Sequence, residues 1–271
     1  LAGLGAAAPR LRLLGLELRP QPAHRPDIEW RQGYWDVVSA SWCAPAGDPV
    51  PLRSVLPAGE PMAIICSEWL DDLPAVVAER DATGWKELLV GADGQERAGP
   101  PVSAADRDWL ERWWPARPGT RSESGRTRDA AWSAVIECLR PAGGLAVMVD
   151  YGHLRRHRPA AGTLTGYQGG RQVLPRPSPA INLTAHVAVD SVQQAGAAAG
   201  ARTEFVVTQR EAVERLLPGP GRTDESGTLA RLQARGERRL LADSLGDHWW
   251  LVQSVAPQQP GRSATGSPAA G

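Results

Sequence analysis

Three carboxylates lie within five positions just after a short apolar run, and they are the first candidates for chemistry. The run covers residues 61–66, and Glu68, Asp71 and Asp72 follow it. Because their mutual repulsion favours a cationic partner, a guanidinium is the natural guest: it is planar and bonds a carboxylate through two N–H groups. The alternative interpretation is a helix N-terminus, where acidic side chains favour the helix dipole.

A second candidate group follows the apolar run 145–149 and extends from Asp150 to His153. Gly152 would let the backbone approach a ligand closely, and a histidine can transfer a proton near neutral pH. Alternatively, His153 is an ordinary surface residue. His153 and His157 have the spacing of metal ligands on a helix, but neighbouring arginines would repel a cation, so we expect no metal site.

A third candidate, Glu17, ends the apolar run 11–17. An acid at the end of a strand in an α/β sheet can accept hydrogen bonds from the two vicinal hydroxyls of a ribose. The alternative is an ordinary solvated acid at a strand end.

The apolar pattern predicts an α/β fold that would bring these groups together. The runs 11–17, 61–66 and 145–149 are short, apolar and followed by acids, as buried strands of a mostly parallel sheet are. The carboxyl ends of parallel strands line one crevice, so the three groups should meet there. Residues 126–140 have helical apolar spacing and precede a Pro- and Gly-rich stop at 141–144, which predicts an α/β crossover.

Residues 79–125 do not fit this repeat and are predicted to form an inserted helix and hairpin subdomain. A strand is expected at 85–90 and a capped helix from Ser103. Three tryptophans of this helical segment are interpreted as core rather than as a recognition surface. Residues 117–128 are polar and expected to be mobile. The tryptophans are Trp109, Trp113 and Trp114.

The rest of the chain adds a helix at 185–199 and strands at 204–208 and 249–252. One domain is therefore expected over residues 1–256, followed by a disordered tail, 257–271, that is rich in Pro, Gln, Gly and Ser.

Composition excludes several classes of protein. With 30 basic against 30 acidic residues the formal net charge is zero, so no nucleic acid partner is expected. No apolar run approaches the roughly 18 residues that span a bilayer, so no membrane insertion is expected. Three widely spaced cysteines predict no disulfide framework and fit a reducing cytoplasm. The sequence contains no G-x-S-x-G elbow, no phosphate loop and no G-x-G-x-x-G after a strand.

Taken in order, these stretches resemble the MidA-type family of S-adenosylmethionine-dependent methyltransferases, whose mitochondrial members are protein-arginine methyltransferases that assist assembly of respiratory complex I. The resemblance covers about residues 1–255 and rests on several blocks in a fixed order. The blocks are L-L-G-L-E at 13–17, S-E-W-L-D-D-L-P at 67–74, W-K-E-L-L-V at 85–90, D-Y-G-H at 150–153, G-T-L at 162–164 with G-Y at 166–167, L-T-A-H-V at 183–187 and T-Q at 208–209.

The resemblance implies a Rossmann-like class I methyltransferase fold with S-adenosylmethionine as cofactor and a protein arginine as methyl acceptor. It implies two sets of site residues. Those expected to bind the cofactor are Glu17, Cys66 and Ser67. Those expected at the transfer site are Glu68, Asp71, Asp150 and His153. The protein would align the methyl group with its acceptor, and carboxylates would orient a guanidinium and accept its proton.

The sequence departs from the family pattern in two respects. The glycine-rich cofactor loop and the first strand of the family have no counterpart, so we expect this chain to lack that strand. Ser67 and Asn182 stand where the family usually has Asn and Asp.

Two other functions remain open at this stage. The chain could be a non-catalytic binding or assembly protein that retains the methyltransferase fold without a complete cofactor site. A nicotinamide-dependent oxidoreductase is disfavoured because its dinucleotide fingerprint is absent. The sequence does not indicate an oligomeric state.

Overall fold

The structure is a computed structural model, and it describes residues 11–91, 93–216, 233, 236–244 and 246–258. Most of the expected tail, from residue 259 onward, lies outside the described residues, as does the start of the resemblance at residues 1–10. The chain divides into two compact units, Leu1–Ala58 and Gly59–Gly271.

The first unit contains two pairs of short strands. The first pair, β1 and β2, is parallel, with Leu14 opposite Glu29 and Glu17 opposite Gln32, and the second, β3 and β4, is antiparallel. The apolar run that ends at Glu17 is therefore a strand, as predicted. The strands are β1 (Leu14–Glu17), β2 (Glu29–Gln32), β3 (Tyr34–Asp36) and β4 (Ser41–Cys43).

The second unit is mixed α/β. Its strands are β5 (Met62–Ser67), β6 (Val76–Asp81), β7 (Gly84–Val90), β8 (Glu96–Pro101), β9 (Arg121–Ser124), β10 (Gly144–Asp150), β11 (Gly152–His153), β12 (Thr165–Gln168), β13 (Arg171–Val173), β14 (Asn182–Thr184), β15 (Val187–Ala188), β16 (Arg202–Thr208) and β17 (Trp249–Val255). Its α-helices are α1 (Ala104–Trp113), α2 (Arg126–Leu139), α3 (Val189–Ala198) and α4 (Gln209–Leu216).

The expectation of a mostly parallel sheet is wrong. The central sheet of the second unit has the order β16-β17-β10-β5, and only β5 and β10 run parallel in it. Strand β17 lies antiparallel to both of its neighbours, β10 and β16. The other sheets of three or four strands are antiparallel throughout. Apolar runs reveal burial but not direction, which explains the error.

Helices α2 and α3 cover one face of the central sheet. On this face Ala146, Met148, Leu251 and Gln253 are all fully buried, because strand residues two apart point to the same side. The buried Gln253 amide is satisfied: its Oε1 accepts a hydrogen bond from Trp132 Nε1 at 2.7 Å, and its Nε2 donates to the carbonyl of Gln193 at 3.0 Å. A polar group without partners here would cost roughly 1–3 kcal/mol.

The close approach of α3 to this amide requires a glycine. A Cβ on Gly196 would lie 1.9 Å from Gln253 Oε1 and 2.7 Å from Trp132 Nε1. Any side chain at this position would therefore displace the Gln253 amide or the Trp132 ring and disturb the hydrogen bond between them.

The antiparallel sheet β8-β7-β6-β9 and helix α1 lie within residues 76–124. That residues 79–125 are an inserted subdomain stays a prediction. Ser103 caps α1 as predicted, since its Oγ accepts a hydrogen bond from the backbone N–H of Asp106 at 3.1 Å. Trp109 and Trp114 are buried in a cluster with Trp85, which confirms that these tryptophans form core. The expectation that residues 117–128 are mobile is wrong, because they include the buried strand β9 and the first turn of α2.

Among the described residues, no helix is long and apolar enough to cross a membrane. The three cysteines, Cys43, Cys66 and Cys138, are buried.

A buried acid joins α1, α2 and α3. Asp129 Oδ2 accepts hydrogen bonds from Trp109 Nε1 at 2.7 Å and from Ser191 Oγ. Its Oδ1 is buried and has no hydrogen-bond partner among the described residues. Burial therefore raises the pKa of Asp129 to about 6, although the bonds from Ser191 and Trp109 oppose this shift.

We expect Asp129 to make the free energy of unfolding depend on pH. An unfolded Asp titrates near pH 4, so between about pH 4 and pH 6 the folded chain binds more protons, and stability falls as pH rises through this window. Asp129→Asn should remove this slope. The free energy of unfolding of the variant minus that of the wild type should therefore be about 1–3 kcal/mol larger at pH 7 than at pH 4. Urea unfolding at pH 4–7 measures it. Asp108→Asn, at an exposed acid of α1, is the matched control. An unchanged slope in Asp129→Asn would contradict the assignment.

Candidate functional site

Glu68 follows β5 in an unusual backbone conformation. Its φ is +44°, in the left-handed region that non-glycine residues rarely adopt. The backbone N–H of Glu68 donates to the carbonyl of Val149 at 2.9 Å, which ties the end of β5 to β10. The side chain is 52% exposed. Strained residues of this kind cluster at functional sites.

Asp150, at the end of β10, holds the turn that follows Glu68. The residue is fully buried, and its Oδ2 accepts hydrogen bonds from the backbone N–H groups of Leu70 at 2.9 Å and Asp71 at 3.4 Å. Burial and the nearby charge of Asp71 raise the pKa of Asp150 well above its ordinary value. Asp150 therefore fixes the backbone of the turn at residues 68–72, which we call the acidic turn.

Asp71 is also buried, with 5% of its surface exposed. Its Oδ2 accepts a hydrogen bond from Thr184 Oγ1 at 2.5 Å, and its carbonyl accepts one from the backbone N–H of Ala185 at 3.2 Å. The structure thus brings the L-T-A-H-V block onto the acidic turn. Asp72 is exposed and contacts Asn182 Nδ2 at 3.4 Å.

Arg128 of α2 joins the acidic turn to the L-T-A-H-V block at 183–187. It is 2% exposed, and its guanidinium donates to the carbonyls of Asp71 at 3.0 Å, Leu73 at 3.1 Å and His186 at 3.0 Å. Burial lowers the pKa of Arg128. Nearby acids oppose this shift by favouring the charged form, and the effect of Glu123 is the largest among them.

Glu123 shows what the G-T-L block does. Its buried carboxylate accepts hydrogen bonds from the backbone N–H and Oγ1 of Thr163, both at 2.5 Å, and from the N–H of Leu164 at 2.8 Å. Gly162 has φ +74°, and a Cβ there would lie 2.7 Å from Glu123 Oε1. Thr163 Oγ1 also accepts from the backbone N–H of His186 at 2.8 Å. The block is a cradle for this acid.

An aromatic row lies beside the acidic turn. The ring of Tyr151 lies 4.0 Å from that of His248 and 5.8 Å from that of His186, between centroids. His248 Nε2 is 3.2 Å from Glu68 Oε1. Burial raises the pKa of Tyr151, with the charge of Glu68 adding to the shift, and burial lowers the pKa of His186.

His153 is enclosed rather than open to solvent. Its Nδ1 lies 2.6 Å from Arg158 Nη1, and its ring meets the edge of Trp114 at 4.6 Å between centroids. Arg158 is in turn paired with Asp190 at 2.5 Å. Burial, and then the charge of Arg158, lower the pKa of His153 to about 3, so its imidazole is neutral near pH 7.

The three residues expected to bind the cofactor lie at strand ends. Glu17 ends β1 in the first unit, where its exposed carboxylate accepts from the N–H of Arg19 at 3.1 Å. Cys66 and Ser67 end β5 on opposite faces of the sheet: Cys66 is buried and Ser67 exposed. Burial, and then the charge of Asp150, raise the pKa of the Cys66 thiol to about 12, so the thiol stays protonated.

The structure therefore brings Glu68, Asp71 and Asp150 together, as the sequence predicted for their strands. Three other residues of this region were missed by sequence reasoning: Glu123, Arg128 and His248. The first two lie in the segment expected to be mobile, where the Ser-Glu-Ser run at 122–124 is entirely polar and gives no strand signal. The third offers no local signal, because its contacts come from distant parts of the chain.

Comparisons with known proteins agree with this architecture. Residues 26–207 match a family described as "Putative S-adenosyl-L-methionine-dependent methyltransferase". No curated protein matches. One similar solved structure is a superfamily member and "likely methyl transferase" from Burkholderia thailandensis bound to S-adenosyl-homocysteine, with 20% identity, a TM-score of 0.56, and coverage of 74% of this chain and 55% of that one.

A second similar structure is the native form of an uncharacterized protein of the same superfamily from the same organism. It has 21% identity and a TM-score of 0.57, over 74% of this chain and 57% of that one. The chain thus spans little more than half the length of these structures, and at such identities the likeness shows the fold alone.

We expect Arg128→Met to destabilise the second unit by about 3–5 kcal/mol, because it removes the hydrogen bonds to three backbone carbonyls and a buried positive charge from among buried acids. The urea midpoint at pH 7 measures this loss. Arg107→Met, at an exposed position of the neighbouring helix α1, should change stability by less than about 0.5 kcal/mol. Similar values for the two variants would show that the Arg128 contacts contribute little.

Proposed function

This chain belongs to the S-adenosyl-L-methionine-dependent methyltransferase family, and on that premise we propose that it transfers a methyl group from S-adenosylmethionine to an arginine side chain of a protein. The observation that carries the proposal is the half-exposed Glu68 carboxylate, held on a left-handed backbone at the end of β5. Two buried acids support the turn behind it.

We also propose that the central sheet is the Rossmann-like sheet of a class I methyltransferase. Three features support this: the parallel pair β5 and β10, the antiparallel strand β17 beside them, and the two helices α2 and α3 on one face. In such a sheet, ligands bind outside the carboxyl ends of the parallel strands. Ser67, Glu68 and Asp150 occupy those ends.

Each of the two units, considered by itself, contains an exposed residue whose chemistry suits the cofactor. Glu17 presents an exposed carboxylate at the end of a parallel strand, which suits the two hydroxyls of a ribose. Ser67 is exposed at the end of β5 and could donate its hydroxyl, whereas the neutral Cys66 thiol is buried on the opposite face of the sheet and has no direct contact with the cofactor in this proposal. When bound, S-adenosylmethionine supplies a methyl group on a positively charged sulfur that leaves as a neutral thioether.

Glu68 is the residue that would act on the acceptor. Its carboxylate would orient the guanidinium through paired N–H bonds and accept the proton that the nitrogen loses as the new C–N bond forms. Asp72, which is exposed on the same turn, adds negative charge for a cationic side chain. The ring of Tyr151 offers an apolar and π-rich wall.

Asp71, Asp150 and His153 have different roles in this proposal. Both acids are buried and bonded to the protein, so they act by holding the turn on which Glu68 stands. His153 is enclosed by Arg158 and Trp114, and a neutral imidazole with a pKa of about 3 is a weak base at pH 7. In this proposal His153 therefore does not take the proton from the acceptor nitrogen.

Glu17→Ala should weaken the binding of S-adenosylmethionine by about 10–100-fold, because two hydrogen bonds to a charged group are lost. Isothermal titration calorimetry measures the dissociation constant, and Glu60→Ala, at an exposed acid next to β5, is the control. If the unmutated protein gives no binding heat, the enzyme proposal fails and the non-catalytic binding or assembly function takes its place.

Glu68→Gln should lower kcat by about 10²–10⁴-fold and leave cofactor affinity unchanged, because the amide cannot accept the proton. Transfer of a tritiated methyl group to an arginine-rich peptide measures kcat, and Glu60→Gln is the matched control. A rate equal to that of the unmutated protein would remove Glu68 from the mechanism. Transfer to lysine peptides but not to arginine peptides would support methyltransferase activity and change the proposed acceptor from arginine to lysine.

A further inference from the structure

His248 lies beside the proposed transfer site but outside the part of the chain that matches the family. The match ends at residue 207, and His248 directly precedes β17. It is 3% exposed, and its Nε2 is 3.2 Å from Glu68 Oε1. A carboxylate oxygen can only accept, so Nε2 carries the proton and donates it in this bond.

His248 is held in place through its ring and through its backbone. Its ring packs on that of Tyr151 at 4.0 Å between centroids. Its backbone carbonyl accepts a hydrogen bond from the N–H of Gln209 at 2.7 Å. The Gln209 side chain is itself fixed, because its Oε1 accepts from Trp250 Nε1 at 3.0 Å and its Nε2 donates to the carbonyl of Leu241 at 3.1 Å.

Glu68 needs such a support more than the buried acids do. Its side chain is 52% exposed, and a long exposed side chain loses up to about 2 kcal/mol of conformational entropy when it is fixed in one rotamer. A general base must stand within hydrogen-bond reach of the proton that it removes. A rigid donor on one carboxylate oxygen restrains the group while half of the side chain remains open to solvent.

We propose that His248 is a positioning residue that fixes the Glu68 carboxylate for methyl transfer. The proposal rests on the proposed function. It assigns a role in the site to a residue beyond the part of the chain that matches the family. Tyr151, which packs against His248, completes the support.

Two substitutions separate positioning from packing. His248→Phe keeps a flat ring against Tyr151 but removes the donor, whereas His248→Gln loses the ring but can place an amide N–H near the position of Nε2. We expect kcat to fall at least about 10-fold in His248→Phe, with KM for S-adenosylmethionine unchanged, and to be largely restored in His248→Gln. A packing role predicts the opposite order, so a more active Phe variant would overturn the proposal.

A double-mutant cycle with Glu68→Gln tests the coupling. If His248 acts through Glu68, adding His248→Phe to Glu68→Gln should lower kcat no further. Additive losses would show that His248 acts elsewhere.

A spectroscopic test does not depend on activity. In protein labelled with ¹⁵N-histidine, the Nε2 resonance of His248 should move in Glu68→Gln, while that of the exposed His157 should not. No movement would overturn the proposal whatever the activity. If the Nε2 resonance moves but the unmutated protein transfers no methyl group, the contact between His248 and Glu68 is real and the proposed function is refuted. The proposed role of the two residues in methyl transfer then falls as well.

Discussion

The buried guanidinium of Arg128 is the interaction on which the rest of the candidate site depends. A charged group with 2% exposure is tolerated only when its N–H groups are all used and acids lie nearby. Here the N–H groups bind backbone carbonyls of the acidic turn and of the L-T-A-H-V block. One side chain of α2 thereby reinforces the direct hydrogen bonds from Thr184 and Ala185 to Asp71 that already join the two segments.

This arrangement separates two kinds of acid in the region. Glu123, Asp71 and Asp150 are buried, bonded to the protein and serve the framework. Glu68 is half exposed and has a strained backbone. Most acids in the sequence blocks of this candidate site therefore belong to its framework. In the acidic turn, the acids that face solvent are Glu68 and Asp72.

The sequence was sufficient for elements whose signal is local. Helix α2 and strands β5 and β10 follow from apolar spacing, and Ser103 predicts its own cap. Sheet direction was not predictable, because β17 pairs with strands far away in the chain and its apolar content is the same in either direction. Glu123 was missed for a related reason: its burial depends on the G-T-L cradle, about 40 residues later.

The site is closed by a contact between residues 180 positions apart, Glu68 and His248. Contacts of this span form late, since a long loop must be closed before they contribute any free energy. During synthesis the acidic turn leaves the ribosome long before β17 does, and the chain emerges at about 5–20 residues per second. In a nascent chain the contact between Glu68 and His248 is therefore absent for roughly 10–40 seconds after Glu68 has been synthesised, and it forms only once the residue that precedes the antiparallel strand β17 is available.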